Sequence, residues 1–187
     1  MAYSYEEFDK IFDQLDSVLS DTNFDDVTAE STGYDEIPDG YYLCEVTNSE
    51  IKASKTSGLP MAAFQLTIVE NGMSVEQNES GAITMNEITR TKGRKLFRNY
   101  VLKDSASVKR FAADMLKFEK NGDGIPYLPK EAFMNHETLE DALSVLIGMR
   151  IYTQQSTSTR TVDGKEVESK WLNLISWKRA KQLELPM

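Results

Sequence analysis

The chain has 187 residues, of which 40% are hydrophobic and 27% charged, and its formal net charge is −9. This length suits one domain with an appendage, and no apolar run approaches the roughly 18 residues that a membrane span requires. A single cysteine (Cys44), a single histidine (His136) and the absence of a signal-peptide pattern exclude an internal disulfide and a zinc cluster and favour a cytoplasmic protein without metal or cofactor.

The first predicted element is an amphipathic helix. Ser4 and Glu7 form a capping box, and the apolar residues behind it recur at helical spacing. The leading residues of this apolar stripe are the candidate partner-binding residues Phe8, Ile11, Phe12 and Leu15. The stripe either packs on the rest of the chain or on a second copy, or docks into the groove of another protein.

The negative charge is concentrated at the front of the chain. Residues 1–40 hold twelve acidic residues and one lysine, a net charge of −11, whereas residues 41–187 have a net charge of +2. We therefore predict an acidic helix with a flexible linker at 1–36, a folded domain at 37–180 and a short tail at 181–187. The acidic part either recruits a basic partner or serves only solubility, and the remaining body can present a basic face.

Two strands are predicted next, because side chains alternate between apolar and polar. Tyr42, Cys44 and Val46 mark the buried face of the first strand, and the same pattern resumes after Pro60. Between them we predict a polar loop, residues 49–58, which carries Lys52 and Lys55. Two long strands joined by a basic loop are typical of the start of an OB-type barrel, a fold that often binds oligonucleotides.

Residues 73–86 show little regular alternation of apolar and polar residues, and we predict a long loop there. The segment that follows gives the strongest indication of nucleic-acid binding in the sequence. Between Arg90 and Leu102, cations that can contact phosphates are interleaved with rings that can stack on bases. The candidate binding residues here are Lys92, Arg94, Lys95, Phe97 and Arg98. In the alternative interpretation this is a third strand that buries Leu96 and Tyr100 while its charges are merely solvated.

Two helices and a hairpin complete the prediction. Asp104 or Ser105 caps a helix at the place where an OB barrel carries one after its third strand, and Thr138 begins a shorter helix. Asp163-Gly164 reverses a hairpin whose tip, 154–169, is predicted as a loop. In one interpretation, the alternation of the strand after the turn places four candidate binding residues on one exposed face of the hairpin. In the alternative interpretation the alternation is reversed, and Trp177 is buried. These candidates are Arg150, Tyr152, Trp171 and Trp177.

The order of these motifs resembles the single-stranded DNA-binding proteins of tailed bacteriophages. The likeness covers roughly residues 34–180, through IPDGYY, LPMAAFQLTIVENG, GRKLF and the hairpin LIGMRIY…DGKEVESKWLNLISW. It implies a mainly β (α+β) fold: a five-stranded OB-like antiparallel barrel with an inserted helix after strand three, here preceded by the extra N-terminal helix. It also implies binding of single-stranded DNA, with little sequence preference, during phage DNA replication and recombination in the host cytoplasm.

The resemblance implies a DNA path through the basic loop, the segment around Phe97 and the final hairpin, to which we add the hairpin cation Arg160. The bacterial relatives of that family carry an acidic partner-binding tip at the C-terminus, whereas this chain carries its acid at the front. Replication or recombination proteins are therefore expected to bind the acidic N-terminal segment, and the chain can form homo-oligomers. We predict no enzymatic activity, because His136 has no neighbouring Asp or Cys and no glycine-rich phosphate loop occurs. The alternative function is an acidic protein that mimics nucleic acid and binds a DNA-processing protein.

Overall fold

A computed structural model describes residues 5–21, 36–120 and 122–187 of the chain, with side chains described for residues 12–20 in the first range. The chain divides into two units, Met1–Glu36 and Ile37–Met187. Within the described residues, none of the helices is long and apolar enough to cross a membrane.

The first unit contains the predicted amphipathic helix. Helix α1 spans Tyr5–Asp21, and Phe12 and Leu15 are about half exposed on it. Ser4 of the predicted capping box and the side chains of Phe8 and Ile11 lie outside the described residues. The predicted helix is confirmed, and its role in binding a partner stays a prediction.

The second unit is built on an open antiparallel sheet of seven strands. The strands are β1 Gly40–Ala53, β2 Pro60–Ile68, β3 Gly72–Gln77, β4 Ile83–Ile88, β5 Lys95–Val101, β6 Arg150–Val162 and β7 Lys165–Ile175. Five of them follow the order β7-β6-β1-β2-β5, and the hairpin β3–β4 branches from the beginning of β1. In the described part of the chain, β5 and β7 are not paired with each other. The mainly β, α+β class is confirmed, and the seven-stranded sheet is open and not a closed five-stranded barrel.

Strand β1 is the centre of this sheet and is longer than predicted. Its first half pairs with β6, and after a bulge between Val46 and Asn48 its second half pairs with β2 as far as Ala53 and Pro60. The first half of the predicted loop 49–58 is therefore strand, and a loop joins β1 to β2 only after Ala53. The second half of β1 has largely polar side chains because it lies outside the core. A polar composition is also typical of loops, and for this reason the strand was not predicted there.

The hairpin β3–β4 replaces the long loop predicted for residues 73–86. Its polar composition follows from its position outside the main core, where most of its side chains are exposed or half-buried. Gly72 begins β3 against the ring of Tyr42, where a Cβ atom would collide with ring carbons. The buried Thr91 hydroxyl accepts a hydrogen bond from the Gly72 N–H and donates one to the Ile88 carbonyl, which closes the base of the hairpin.

The helices follow the strands and are capped by side chains. Helix α2 (Ser105–Met115) follows β5 and is capped by Asp104, α3 (His136–Val145) is capped by Asn135, and a 3₁₀ turn lies between them at Lys130–Phe133. The helix predicted after the segment that forms β5 is therefore confirmed, and the insertion between β5 and β6 contains two helices. Helix α4 (Trp177–Gln182), which is capped by Ser176, was not predicted.

Two hydrophobic cores hold these elements together. In the larger core, α2 inserts the fully buried Phe111, whose ring lies 5.1 Å from that of Tyr100 and 6.4 Å from that of Phe64. In the smaller core, α4 and the residues after it cover β6, and Leu183 and Leu185 are buried there. Residues 181–187, predicted as a separate tail, thus complete the second core.

Buried ionisable groups predict a loss of stability at alkaline pH. Burial raises the pKa of Cys44 from 9.0 to about 12, and burial together with Asp39 raises the pKa of Tyr42 from 10.0 to about 12. The unfolded chain ionises first, so the contribution of these two groups to the free energy of unfolding is fully present below pH 9 and is lost between pH 9 and 12. Urea unfolding followed by circular dichroism measures this. The Cys44→Ala variant should lose less stability over the first part of that interval, and equal unfolding free energies of the wild-type chain at pH 8 and 10.5 would contradict the prediction.

Candidate nucleic-acid interface

A cleft of about 430 Å³ lies where the sheet stays open, between β5 and β7. It is lined by Lys95, Leu96, Phe97, Arg98, Asn99, Gln155, Lys170, Trp171 and Leu172. Both strands thus contribute a ring and a cation to one concave surface. We name this surface the aromatic cleft.

The two rings of the aromatic cleft are exposed to solvent. Alternation along β5 buries Leu96 and Tyr100, so that Phe97 points outward and is 62% exposed. Trp171 is 53% exposed, and its indole N–H donates a hydrogen bond to Ser158 Oγ at 2.9 Å across the β6–β7 pair. That hydrogen bond restrains the ring while leaving it accessible. Large apolar rings in water usually mark an interaction surface.

The cations of the aromatic cleft differ in how firmly they are held. Lys95 and Lys170 are exposed on the two opposing strands. Arg98 is half-buried, with its guanidinium 3.7 Å from Asp114 Oδ2 and 4.4 Å from the centre of the Tyr100 ring. Arg98 therefore presents a positioned charge to an anion in the aromatic cleft.

Asp114 of α2 organises the surroundings of Arg98. Its carboxylate accepts hydrogen bonds from the Tyr100 hydroxyl at 2.8 Å and from Lys117 Nζ at 2.6 Å. Burial and the charge of Asp114 raise the pKa of the Tyr100 hydroxyl, which therefore remains a hydrogen-bond donor. The network joins β5 to α2 and fixes the direction of Arg98.

Tyr152 and Trp177 do not form part of an exposed binding face, contrary to our prediction. Tyr152 is 2% exposed, its hydroxyl donates to the Pro186 carbonyl at 2.5 Å, and its ring meets that of Trp177 edge-on at 5.8 Å. Strand β7 ends at Ile175, and Ser176 caps α4, so Trp177 does not continue the alternation of the strand. Both rings belong to the smaller core.

The remaining predicted cations are spread over other parts of the unit. Lys52 pairs with Glu50 at 2.7 Å, and Arg150 lies 3.6 Å from Glu45. Lys55 lies in the β1–β2 loop, Lys92 shares a cleft with Glu70 and Glu87, Arg94 lies half-buried before β5, and Arg160 lies on the β6–β7 hairpin, whose predicted loop is strand. Of the twelve predicted binding residues, the aromatic cleft brings together Lys95, Phe97, Arg98 and Trp171.

Sequence reasoning missed Lys170 and Gln155. Lys170 lies two residues before Leu172, so the alternation of β7 could have placed both on one side of the strand. Gln155 pairs with Leu172 and could have been found only from the register of the hairpin. No group of three or more His, Cys, Asp or Glu side chains within the described residues is arranged to hold a metal ion.

No curated protein matches the sequence. A family model described as "Protein of unknown function (DUF669)" matches residues 22–121, a range that includes β1 to β5 and α2 and therefore Phe97, but not Trp171. Because this match covers more than half of the 187 residues, the chain belongs to the DUF669 family.

Proposed function

We propose that the chain binds single-stranded DNA with little sequence preference, and that the aromatic cleft is the binding site. The observation that carries this proposal is the cleft itself, in which Phe97 and Trp171 stand exposed on two strands beside Lys95, Lys170 and Arg98. Stacking of a base on an aromatic ring is worth about 1 to 3 kcal/mol and does not depend strongly on which base is stacked. Duplex DNA hides its base faces, so single strands bind in preference.

The arrangement of the strands supports the proposal. The path β7-β6-β1-β2-β5 has five strands with the helical insertion after β5, and it is open between its two end strands. The OB fold is a partly open five-stranded barrel whose sheet face and loops bind oligonucleotides, and we regard this domain as an OB-like barrel with an added β3–β4 hairpin. The aromatic cleft then lies where the barrel fails to close.

The biological role that we propose follows from this binding mode. A protein that coats unpaired strands without forming covalent bonds protects them during phage DNA replication or recombination. The acidic residues 1–40 then provide a contact for basic replication or recombination proteins.

A titration of labelled oligo-dT at several salt concentrations tests the proposal. The logarithm of the affinity should fall linearly with the logarithm of the salt concentration, with a slope of about −0.7 for each phosphate contact. Tryptophan fluorescence should be quenched on binding, and duplex DNA should compete poorly. If oligo-dT does not bind even at low salt, the proposal is overturned.

The concentration of acid in residues 1–40 supports a second candidate, a protein that mimics nucleic acid and occupies a basic DNA-processing protein. The same titration separates the two functions. A mimic would leave oligo-dT unbound and would compete with DNA for a basic partner, whereas the proposed function requires direct binding of the oligonucleotide.

A further inference from the structure

A second cleft, of about 580 Å³, adjoins the aromatic cleft on the other side of Arg98. Three elements form it: the β1–β2 loop, the end of β5 and the first turns of α2. Arg98 lines both clefts, so the two surfaces are continuous at this side chain. We name this surface the basic cleft.

Cationic and hydroxyl side chains dominate the polar lining of the basic cleft. Its cations are Arg98, Lys103 and Arg110, and its hydroxyl groups come from Ser54, Thr56, Ser57 and Ser107. Lys103 and Arg110 are exposed and come from different elements. Cations and hydroxyl donors that converge from separate segments are the groups that bind phosphate oxygens.

Two carboxylates lie near these cations, and both have other partners. Asp104 caps α2 by accepting the Ser107 N–H at 2.7 Å, and Asp114 accepts from Tyr100 and Lys117 as well as pairing with Arg98. Arg98 Nε is buried and has no hydrogen-bond partner among the described residues. The positive charge of the basic cleft is therefore only partly neutralised within the unit.

We propose that the basic cleft binds phosphodiester groups of the DNA strand whose bases occupy the aromatic cleft. This inference rests on the proposed function and extends it to the path of the DNA. The DNA strand then runs past Arg98 toward α2 and not along the predicted basic residues Lys52 and Arg150. Arg98 is the point at which the strand passes from one cleft to the other. Lys103 and Arg110, which the sequence analysis did not select, make the phosphate contacts beyond it.

The test compares two double variants. Lys103→Ala/Arg110→Ala removes both cations, and Lys109→Ala/Lys130→Ala removes two exposed cations that line neither cleft. With an oligo-dT of about 20 nucleotides, the logarithm of the affinity of the first variant should depend less steeply on the logarithm of the salt concentration, by about 1.4 in the slope. Its binding should be about 25-fold weaker than that of the wild type at 0.1 M salt. With an oligo-dT of about 2 nucleotides, one for each ring of the aromatic cleft, its affinity should match that of the wild type.

The outcomes separate this inference from the proposed function. If the long oligonucleotide binds Lys103→Ala/Arg110→Ala with the slope and affinity of the control variant, and quenches tryptophan fluorescence as in the wild type, the basic cleft is not on the DNA path although the proposed function stands. If the wild-type chain binds neither oligonucleotide, the proposed function fails and the inference fails with it. Circular dichroism of both variants checks that they are folded.

Discussion

Replacing Trp171 with alanine is expected to weaken oligo-dT binding about 5- to 150-fold, because one stacked base loses about 1 to 3 kcal/mol. Trp171 is exposed, and its indole N–H has Ser158 as its hydrogen-bond partner, so the substitution removes the ring with little effect on the core. Fluorescence anisotropy of labelled oligo-dT measures the affinity. The fluorescence quenching should disappear as well, since the remaining tryptophan, Trp177, packs in the smaller core.

The matched control for this experiment is Val167→Ala. Val167 is an exposed apolar residue of β7, and alternation places it on the same face of the strand as Trp171 but nearer the hairpin turn. It should retain wild-type affinity and quenching. Wild-type affinity in a folded Trp171→Ala variant would show that the exposed indole does not stack on DNA.

Replacing Phe111 with alanine is expected to lower the free energy of unfolding by about 3 to 5 kcal/mol, because the substitution leaves a cavity in the larger core. Phe111 is fully buried and packs against the rings of Phe64, Tyr100 and Phe133. Urea unfolding followed by circular dichroism measures the loss. Most proteins have only about 5 to 15 kcal/mol of stability, so this variant should unfold at much lower urea concentrations.

The same substitution at Phe97 provides the comparison. Phe97 is 62% exposed, so Phe97→Ala should change the free energy of unfolding by less than about 1 kcal/mol while weakening oligo-dT binding as Trp171→Ala does. Comparison of the two variants thus separates an effect on protein stability from an effect on oligo-dT binding. Equal losses of stability in Phe111→Ala and Phe97→Ala would mean that Phe97 packs in a core.

The elements that could be predicted from the sequence are those whose buried faces lie on one side of a regular element. Tyr42, Cys44 and Val46 alternate along β1, and α2 buries Phe111 and Met115 one helical turn apart. The elements that were missed have no such face. Most side chains of β3 and β4 are outside the core. Helix α4 is only six residues long, and its first residue, Trp177, also fits the alternation of the preceding strand.

The candidate site was predicted in part, for a related reason. The interleaved segment before α2 placed Lys95, Phe97 and Arg98 close together in the chain, and adjacent residues of a strand stay close in space. Trp171 joins them only through the sheet order, in which three strands, β6, β1 and β2, separate β7 from β5. Periodicity does not encode that order. Tyr152 was placed on an exposed face because α4, which covers it, was not predicted.

The open ends of the sheet also bear on whether another polypeptide strand can add to it. An unpaired strand offers backbone N–H and C=O groups to any other polypeptide, and lysines on such a strand discourage that addition. Lys95 and Lys170 stand on β5 and β7, the strands that border the gap. The two lysines of the aromatic cleft therefore also disfavour strand addition at these edges, and we expect that neutralising both would make the edges more prone to it.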